Sequence, residues 1–313
     1  MSFLKQPLRA KLLASLMLIS VLLLAACGSS GGTSSSSSSS STPAPSSVHL
    51  TVGGKLDTEA QLLTKMYTLL LKKAGYNVTE KAALGTNAVV FSAITSGQID
   101  LYPEFTATGL AKLGLTSTNN PEKDYQAVKQ GYEQKYQITW LDKSPLNDTY
   151  GICAPKNSPK LSGATSISQL APLASKLLIA TPPDGIKFGV DIVKSVYKIT
   201  FGGGTTTYNE EALTFPAVAT GKQDVNVCYT TSALIPKNNF ILLQDDKNAF
   251  PVYNPAPIVR DDTLKKAPGI ANALNPLAPL LTTEVSQQLQ LQVANGQSVT
   301  TVATNFLKSK RLL

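Results

Sequence analysis

The chain has 313 residues, of which 42% are hydrophobic and 15% charged, a composition typical of a globular protein rather than a disordered one. Its formal net charge is +8, but three of the 28 basic residues lie before residue 27, where no acidic residue occurs, and the remainder carries +5. No cluster of Lys and Arg stands out in that remainder, so we expect no nucleic-acid partner.

The first 26 residues have the pattern of an export signal. A basic start leads into the short apolar run at residues 12–26, and small residues precede Cys27. The stretch LAAC at residues 24–27 resembles the lipobox of bacterial lipoproteins. That resemblance implies a protein outside the cytoplasm, lipid-anchored to the cell membrane at Cys27. An ordinary signal peptide with an incidental cysteine is the alternative.

Residues 27–47 are rich in serine and cannot bury apolar surface, so we predict a flexible tether between the anchor and the folded part. The next predicted elements alternate in type, which indicates βαβ units and a parallel sheet. They are a strand at 48–54, a helix at 58–74, a strand at 76–81, a helix at 87–96 and a strand at 99–102 that breaks at Tyr102-Pro103.

A repeat relates the two halves of the chain. Residues 91–110 align with residues 215–234 at a constant offset of 124, and the strand-like stretch at 176–185 matches the first strand and its loop. Chance similarity between two helix–strand units is the alternative. We favour two related lobes, each with a small α/β sheet.

Phe105 and Tyr229 occupy the same place after equivalent strands of this repeat. Ligands of open α/β sheets bind beyond the carboxyl ends of the strands, so both rings would line a cleft between facing lobes. Each ring taken alone would more often be a core aromatic. Their matched positions favour the cleft.

Other residues restrict the chemistry. His49 is the only histidine, and it lies where the tether enters the first strand, so neither a zinc site nor a His-based triad is predicted. Cys153 and Cys228 lie in apolar, strand-like stretches of a chain bound for a compartment that permits disulfides. They are either disulfide-bonded or two buried free thiols. We predict no metal, no cofactor and no enzymatic activity.

Five segments resemble a known family, the substrate-binding proteins of ABC importers for glycine betaine, choline, carnitine and related osmoprotectants. The resemblance runs from about residue 48 to the C-terminus. The segments are GGK at 53–55 with the following Glu59, GQIDLYPEFTATGL at 97–110, LNDTYGI at 146–152, QDDKNAFPVYNPAPIVR at 244–260 and LQVANGQSVTTVATNFLKSKRLL at 291–313.

The resemblance implies an α/β, two-lobed fold of the type II periplasmic-binding-protein kind, with the ligand in the cleft between the lobes. The expected first lobe comprises residues 48–151 and 257–313, and the second lobe comprises residues 152–256. The partners implied are a small quaternary ammonium ligand and an ABC permease with its ATPase, and we expect a monomer.

Matching motifs place the family's ligand contacts on this chain. The rings expected to enclose the quaternary ammonium group are Phe105, Tyr150, Tyr229 and Tyr253. For a carboxylated ligand, Lys55 at a strand-to-helix turn is the matched partner, and Thr108 could add a hydroxyl. Asp148 matches a position beside the pocket that acts through its main chain.

The chain departs from the family pattern in three places. Phe105 stands where most relatives have tyrosine, and Ala60 replaces a polar residue of the first helix. The loop ATPPDGIKFG lacks the usual arginine before Asp-Gly, with only Lys187 as a loose substitute. The missing arginine weakens the case for a short carboxylated ligand and leaves choline or another cation open.

Two other function classes are considered. A binding protein or sensor for another small solute, such as an amino acid, would use the same frame but should pair an ammonium with an acid. A secreted hydrolase would need a nucleophile with a base, and no stretch of the chain suggests one.

Overall fold

The computed structural model describes residues 44–313, and within them ten strands form two five-stranded sheets. The strands are β1 (His49–Lys55), β2 (Asn77–Gly85), β3 (Leu101–Phe105), β4 (Ile138–Trp140), β5 (Tyr150–Pro155), β6 (Leu178–Thr181), β7 (Gly204–Thr207), β8 (Val225–Tyr229), β9 (Phe240–Leu242) and β10 (Pro255–Arg260).

Helices cover the faces of both sheets. The α-helices are α1 (Thr58–Lys73), α2 (Asn87–Thr95), α3 (Thr106–Leu113), α4 (Pro121–Tyr136), α5 (Glu211–Ala219), α6 (Leu234–Lys237), α7 (Asp261–Lys266), α8 (Ile270–Leu274), α9 (Thr283–Ala294) and α10 (Val299–Ser309). Short π-helices occur at Ile186–Val190 and Val193–Tyr197. No helix among residues 44–313 is long and apolar enough to cross a membrane.

The two sheets define the two lobes. The first lobe has the strand order β2-β1-β3-β10-β4 and the second has β7-β6-β8-β5-β9. The expected two-lobed α/β architecture is therefore confirmed. The parallel pairing expected for the first three strands is confirmed, since β1 runs parallel to β2 and to β3. β10 and β5, whose directions the sequence does not predict, each run antiparallel to both of their neighbours.

These antiparallel strands are exchanged between the two repeats. β5 follows the first repeat along the chain but lies between β8 and β9 of the second sheet, and β10 follows the second repeat but lies between β3 and β4 of the first. The chain therefore crosses between the lobes twice, within residues 141–149 and within residues 243–254.

Helix α1 shows how the first lobe is built. The side chain of Asp57 accepts a hydrogen bond from the backbone N–H of Ala60 and caps the helix. Leu62, Leu63 and Met66 recur at helical spacing and are buried against the sheet and the C-terminal helices. Each such side chain contributes about 1.5–3 kcal/mol through burial.

The predicted repeat is present in three dimensions. The bounds of α2 and α5, and those of β3 and β8, differ by 124 at both ends. The carboxylates before these strands also match: Asp100 accepts from the backbone N–H of Thr51 at 2.7 Å, and Asp224 accepts from that of Leu178 at 2.9 Å. The same hydrogen bond thus joins the first and third strands of each repeat.

The strand break predicted at Tyr102-Pro103 is wrong, because β3 continues to Phe105. Pro103 lies directly opposite Pro257 of the antiparallel β10. The Arg260 N–H donates to the Asp100 carbonyl, and the Thr106 N–H donates to the Asn254 carbonyl. Hydrogen-bonded pairs alternate with non-bonded pairs, so Pro103 and Pro257 lie at a non-bonded position and remove no hydrogen bond between β3 and β10.

Cys153 and Cys228 form a disulfide between β5 and β8, with an S–S distance of 1.98 Å and both cysteines fully buried.

Residues 1–43, which include Cys27 and most of the predicted tether, lie outside the described residues. The last residues of the tether, Pro45–Ser47, form an exposed 3-10 turn. The lobe boundaries expected at 151/152 and 256/257 stay a prediction; β5 begins at Tyr150 and β10 at Pro255.

Candidate functional site

A cavity of about 290 Å³ lies between the two lobes, and all seven residues expected to contact a ligand line it. The complete lining is Lys55, Asp57, Asn87, Phe105, Thr108, Asp148, Thr149, Tyr150, Tyr229 and Tyr253. The structure therefore brings the predicted site residues together around one cavity.

Strand ends and chain crossings supply these side chains. Lys55, Phe105 and Tyr229 are the last residues of β1, β3 and β8, as expected for a site at the carboxyl ends of parallel strands. Tyr150 begins β5, directly after the first crossing, and Tyr253 lies within the second crossing. Both sheets and the second crossing thus contribute aromatic rings.

Tyr150 and Tyr229 form a cross-strand pair. They lie directly opposite each other on β5 and β8, with ring centroids 4.8 Å apart and hydroxyl oxygens 3.2 Å apart. Burial is the largest of the effects that raise the pKa of the Tyr150 phenol, so the ring stays neutral at physiological pH. Phe188 stacks behind Tyr150 at 5.8 Å with an interplanar angle of 21°.

Phe105 lies in a different environment, beside a buried ion pair. The Nζ atom of Lys55 is 2.6 Å from Oε1 of Glu104 and 4.8 Å from the centroid of the Phe105 ring. Glu104 is fully buried and also accepts hydrogen bonds from the Tyr102 hydroxyl and from the Phe105 N–H. Lys55 is thus already paired within the protein, with Glu104 as its partner. The sequence does not predict this pair.

The two crossings run side by side beneath the rings. The N–H of Asp148 donates to the carbonyl of Tyr253 at 3.1 Å, and the N–H of Tyr253 donates to Oδ1 of Asn147 at 2.7 Å. The side-chain amide of Asn254 donates to the carbonyl of Leu146 at 2.7 Å. These bonds fix where Tyr253 stands relative to Asp148.

Asp148 lines the cavity, and a second buried carboxylate, Glu59, interacts with it. Oδ1 of Asp148 accepts from the Thr231 hydroxyl at 2.8 Å, and burial raises the pKa of Asp148. Glu59, whose side chain is bonded to Ser286 and Gln290 of α9, is buried as well. Burial raises the pKa of Glu59 well above its ordinary value, which favours its uncharged form.

Sequence reasoning missed several residues at the site. Asp57, Asn87 and Thr149 also line the cavity. The sequence could have indicated Asp57, which follows a strand and caps the next helix, and Asn87, which begins α2. The pairing of Glu104 with Lys55 has no local signal, because it joins the ends of two strands 49 residues apart.

Lys187 does not line the cavity. Its Nζ lies 5.1 Å from the Phe188 ring, on the exposed turn that follows the second-lobe loop. Among residues 44–313, no cluster of three or more His, Cys, Asp or Glu side chains has the arrangement of a metal site.

Comparison with known proteins gives a consistent picture. Residues 48–309 match the profile of a family described as the substrate-binding domain of ABC-type glycine betaine transport systems. The chain is 29% identical over 292 residues to the glycine betaine-binding protein YehZ of Escherichia coli (strain K12), which covers 86% of this chain and 92% of that protein.

A second relative is the carnitine transport binding protein OpuCC of Listeria monocytogenes, 27% identical over 267 residues, covering 83% of this chain and 86% of that one. The solved structure of apo YehZ from Escherichia coli superposes with a TM-score of 0.79 at 27% identity, covering 84% of this chain and 99% of that chain. The expected periplasmic-binding-protein-like fold is confirmed by this match.

Proposed function

The chain belongs to the family of substrate-binding domains of ABC-type glycine betaine transport systems, and on that premise we propose that it captures a quaternary ammonium compound between aromatic rings. The box consists of Phe105, Tyr150, Tyr229 and Tyr253. The observation that carries the proposal is the convergence of these rings, from both sheets and the second crossing, on one cavity.

The chemistry of the ligand explains why rings are needed. A trimethylammonium group has no N–H donor, so a carboxylate cannot hydrogen-bond it. It is bulky and weakly hydrated, and the negative faces of several rings can surround it, each contributing about 0.5–2 kcal/mol. Tyr229 is 38% exposed, which leaves part of its ring available to a ligand.

Polar groups of the cavity hold the other end of the ligand. Thr108 and Asn87 offer hydrogen-bond donors, and Lys55 offers a positive charge that it shares with Glu104. Asp148 contributes through the main chain, where its N–H fixes the second crossing. A small ligand with one polar end opposite its ammonium head fits this distribution.

The proposal includes the delivery route. The loaded protein hands its ligand to an ABC permease with its ATPase, and a lipid on Cys27 holds it at the outer face of the cell membrane. Family membership supports an extracytoplasmic substrate-binding role without catalysis.

Calorimetric titration tests the box. We expect choline, glycine betaine or carnitine to bind, and proline and histidine to bind more weakly. Tyr229→Ala or Tyr253→Ala should weaken binding of the best ligand by about 1–3 kcal/mol through lost cation–π contact and lost burial. Phe105→Tyr should have a small effect, since the ring face is kept.

Tyr208→Ala is the matched control, because Tyr208 follows β7 and does not line the cavity. Unchanged affinity in the Tyr229→Ala protein would contradict the box. Preferential binding of proline or histidine would instead favour an amino-acid-binding protein on the same frame.

A further inference from the structure

The positive charge of Lys55 is held by the protein itself. Lys55 is 6% exposed, and its Nζ lies 2.6 Å from an oxygen of the fully buried Glu104. Glu104 cannot move away to release it, because the Tyr102 hydroxyl and the Phe105 N–H bond its two oxygens at 2.7 and 2.8 Å. A ligand carboxylate would have to share Lys55 with a carboxylate that is already in place.

Among residues 44–313, no second basic side chain reaches the cavity to replace the charge of Lys55 that Glu104 occupies. Lys55 is the only basic side chain among those that line the cavity. Residues 44–313 contain two arginines, and neither reaches the site: Arg260 is bonded to Asp262, and Arg311 lies at the C-terminus. Lys187, which stands near the loop where an arginine was expected, is exposed beside Phe188.

Two carboxylates line the same cavity. Asp57 Oδ1 accepts from the Ala60 N–H at 2.7 Å, and Asp148 Oδ1 accepts from the Thr231 hydroxyl at 2.8 Å. Within residues 44–313 no donor bonds the second oxygen of Asp148. Since Glu104 cancels the charge of Lys55, ionised Asp57 and Asp148 leave the cavity with a net negative charge.

From this charge distribution we infer that the cavity selects a quaternary ammonium ligand with a net positive charge and no carboxylate, an amino alcohol of the choline type, over zwitterionic betaines. The inference rests on the proposed function and names the ligand class of the same site. The rings provide contact to any trimethylammonium head. The acids, with Lys55 already neutralised, favour a cation and disfavour a second carboxylate.

The test compares choline with glycine betaine, which share the trimethylammonium head, by calorimetric titration of the full chain at about pH 8, well above the ordinary pKa of an aspartate. We expect choline to bind at least about tenfold more tightly. Equal or tighter binding of glycine betaine overturns the inference and leaves the aromatic box standing. Failure of choline to bind while carnitine binds also overturns the inference, whereas failure of choline, glycine betaine and carnitine alike contradicts the proposed function.

Charge-neutralising variants identify the cause. Asp57→Asn and Asp148→Asn keep a side-chain acceptor for their internal hydrogen bonds, so the fold should be preserved. Each should weaken choline binding by about threefold to tenfold while leaving glycine betaine binding unchanged or stronger. The control is Asp142→Asn, an exposed carboxylate outside the cavity. If neither variant changes the ratio of the two affinities more than this control does, the inference is wrong.

Discussion

Glu104 is the residue on which the geometry of the candidate site depends. It is fully buried at the end of β3, the strand between β1 and β10, and its carboxylate accepts from Lys55, Tyr102 and the Phe105 backbone. These bonds hold the last residue of β1 beside the last residue of β3. A buried charge pair of this kind contributes specificity of arrangement, and removing one partner leaves the other unpaired.

We therefore expect Glu104→Gln to lower the free energy of unfolding by about 3–5 kcal/mol, because it leaves the Lys55 ammonium buried without a counter-charge. Urea unfolding followed by circular dichroism measures the loss. Glu80→Gln is the matched control: its partner Lys65 lies 2.8 Å away but the pair is partly exposed, so the cost should be below about 1 kcal/mol. Equal losses in the two variants would contradict the role assigned to burial.

For single residues, the sequence could indicate which aromatic rings lie at the site but not which charged side chains pair beside them. Phe105 and Tyr229 were placed at the site by the 124-residue offset, which relates their strands in three dimensions as well. The contact between Lys55 and Glu104 arises only when two strands pair, so neither residue carries a local pattern that reveals it.

Among the elements, helices and strands of the repeat were predictable because their apolar periodicity is local. The directions of β5 and β10 were not, since they depend on where the chain crosses between lobes. Pro103 was misleading for a related reason. A proline argues against a strand only where its missing N–H would be needed, and that depends on the partner strand.

The start of α5 and the end of β8 are joined by a carboxylate that titrates near neutrality. Glu211 accepts from the Tyr229 N–H at 2.8 Å and from the Ser232 hydroxyl at 3.0 Å. Burial raises its pKa from 4.5 to about 7, against the lowering effect of these two bonds. Glu211 thus connects the hydrogen bonding of the Tyr229 backbone to pH.

This shift predicts a pH-dependent stability. Between pH 4.5 and about 7 the folded protein keeps a proton on Glu211 that the unfolded chain has released, so the contribution of Glu211 to the free energy of unfolding falls as the pH rises. In Glu211→Gln this decline is absent. The variant should gain about 1–3 kcal/mol relative to wild type between about pH 5 and about pH 8. Urea unfolding at each pH measures the free energy of unfolding of the two proteins. The same pH dependence of that free energy in both would contradict the shift.

For the whole molecule, the two crossings are the connections on which relative motion of the lobes depends. They are bonded to each other through Asp148, Tyr253 and Asn254. Tyr253 lies in the second crossing, and Tyr150 directly follows the first. Phe105 belongs to the first sheet and Tyr229 to the second. A ligand that contacts both rings binds better when the lobes approach, so it shifts the population towards a closed form.

We expect saturating choline to reduce the radius of gyration measured by small-angle X-ray scattering, since closure makes the molecule more compact. Tyr229→Ala at the same choline concentration should show little change. An unchanged radius in the wild-type protein, with binding verified by calorimetry, would show that the rings capture the ligand without lobe closure.

The exchange of β5 and β10 also decides the order in which the lobes can be finished during synthesis. Domains made first usually fold first. Here the second sheet has all five of its strands once residue 242 has been made, whereas the first sheet still lacks the strand between β3 and β4. The edge of β3 stays unpaired until residues 255–260 emerge, and the core behind α1 waits further for α9 and α10. The lobe that is begun first is therefore completed last.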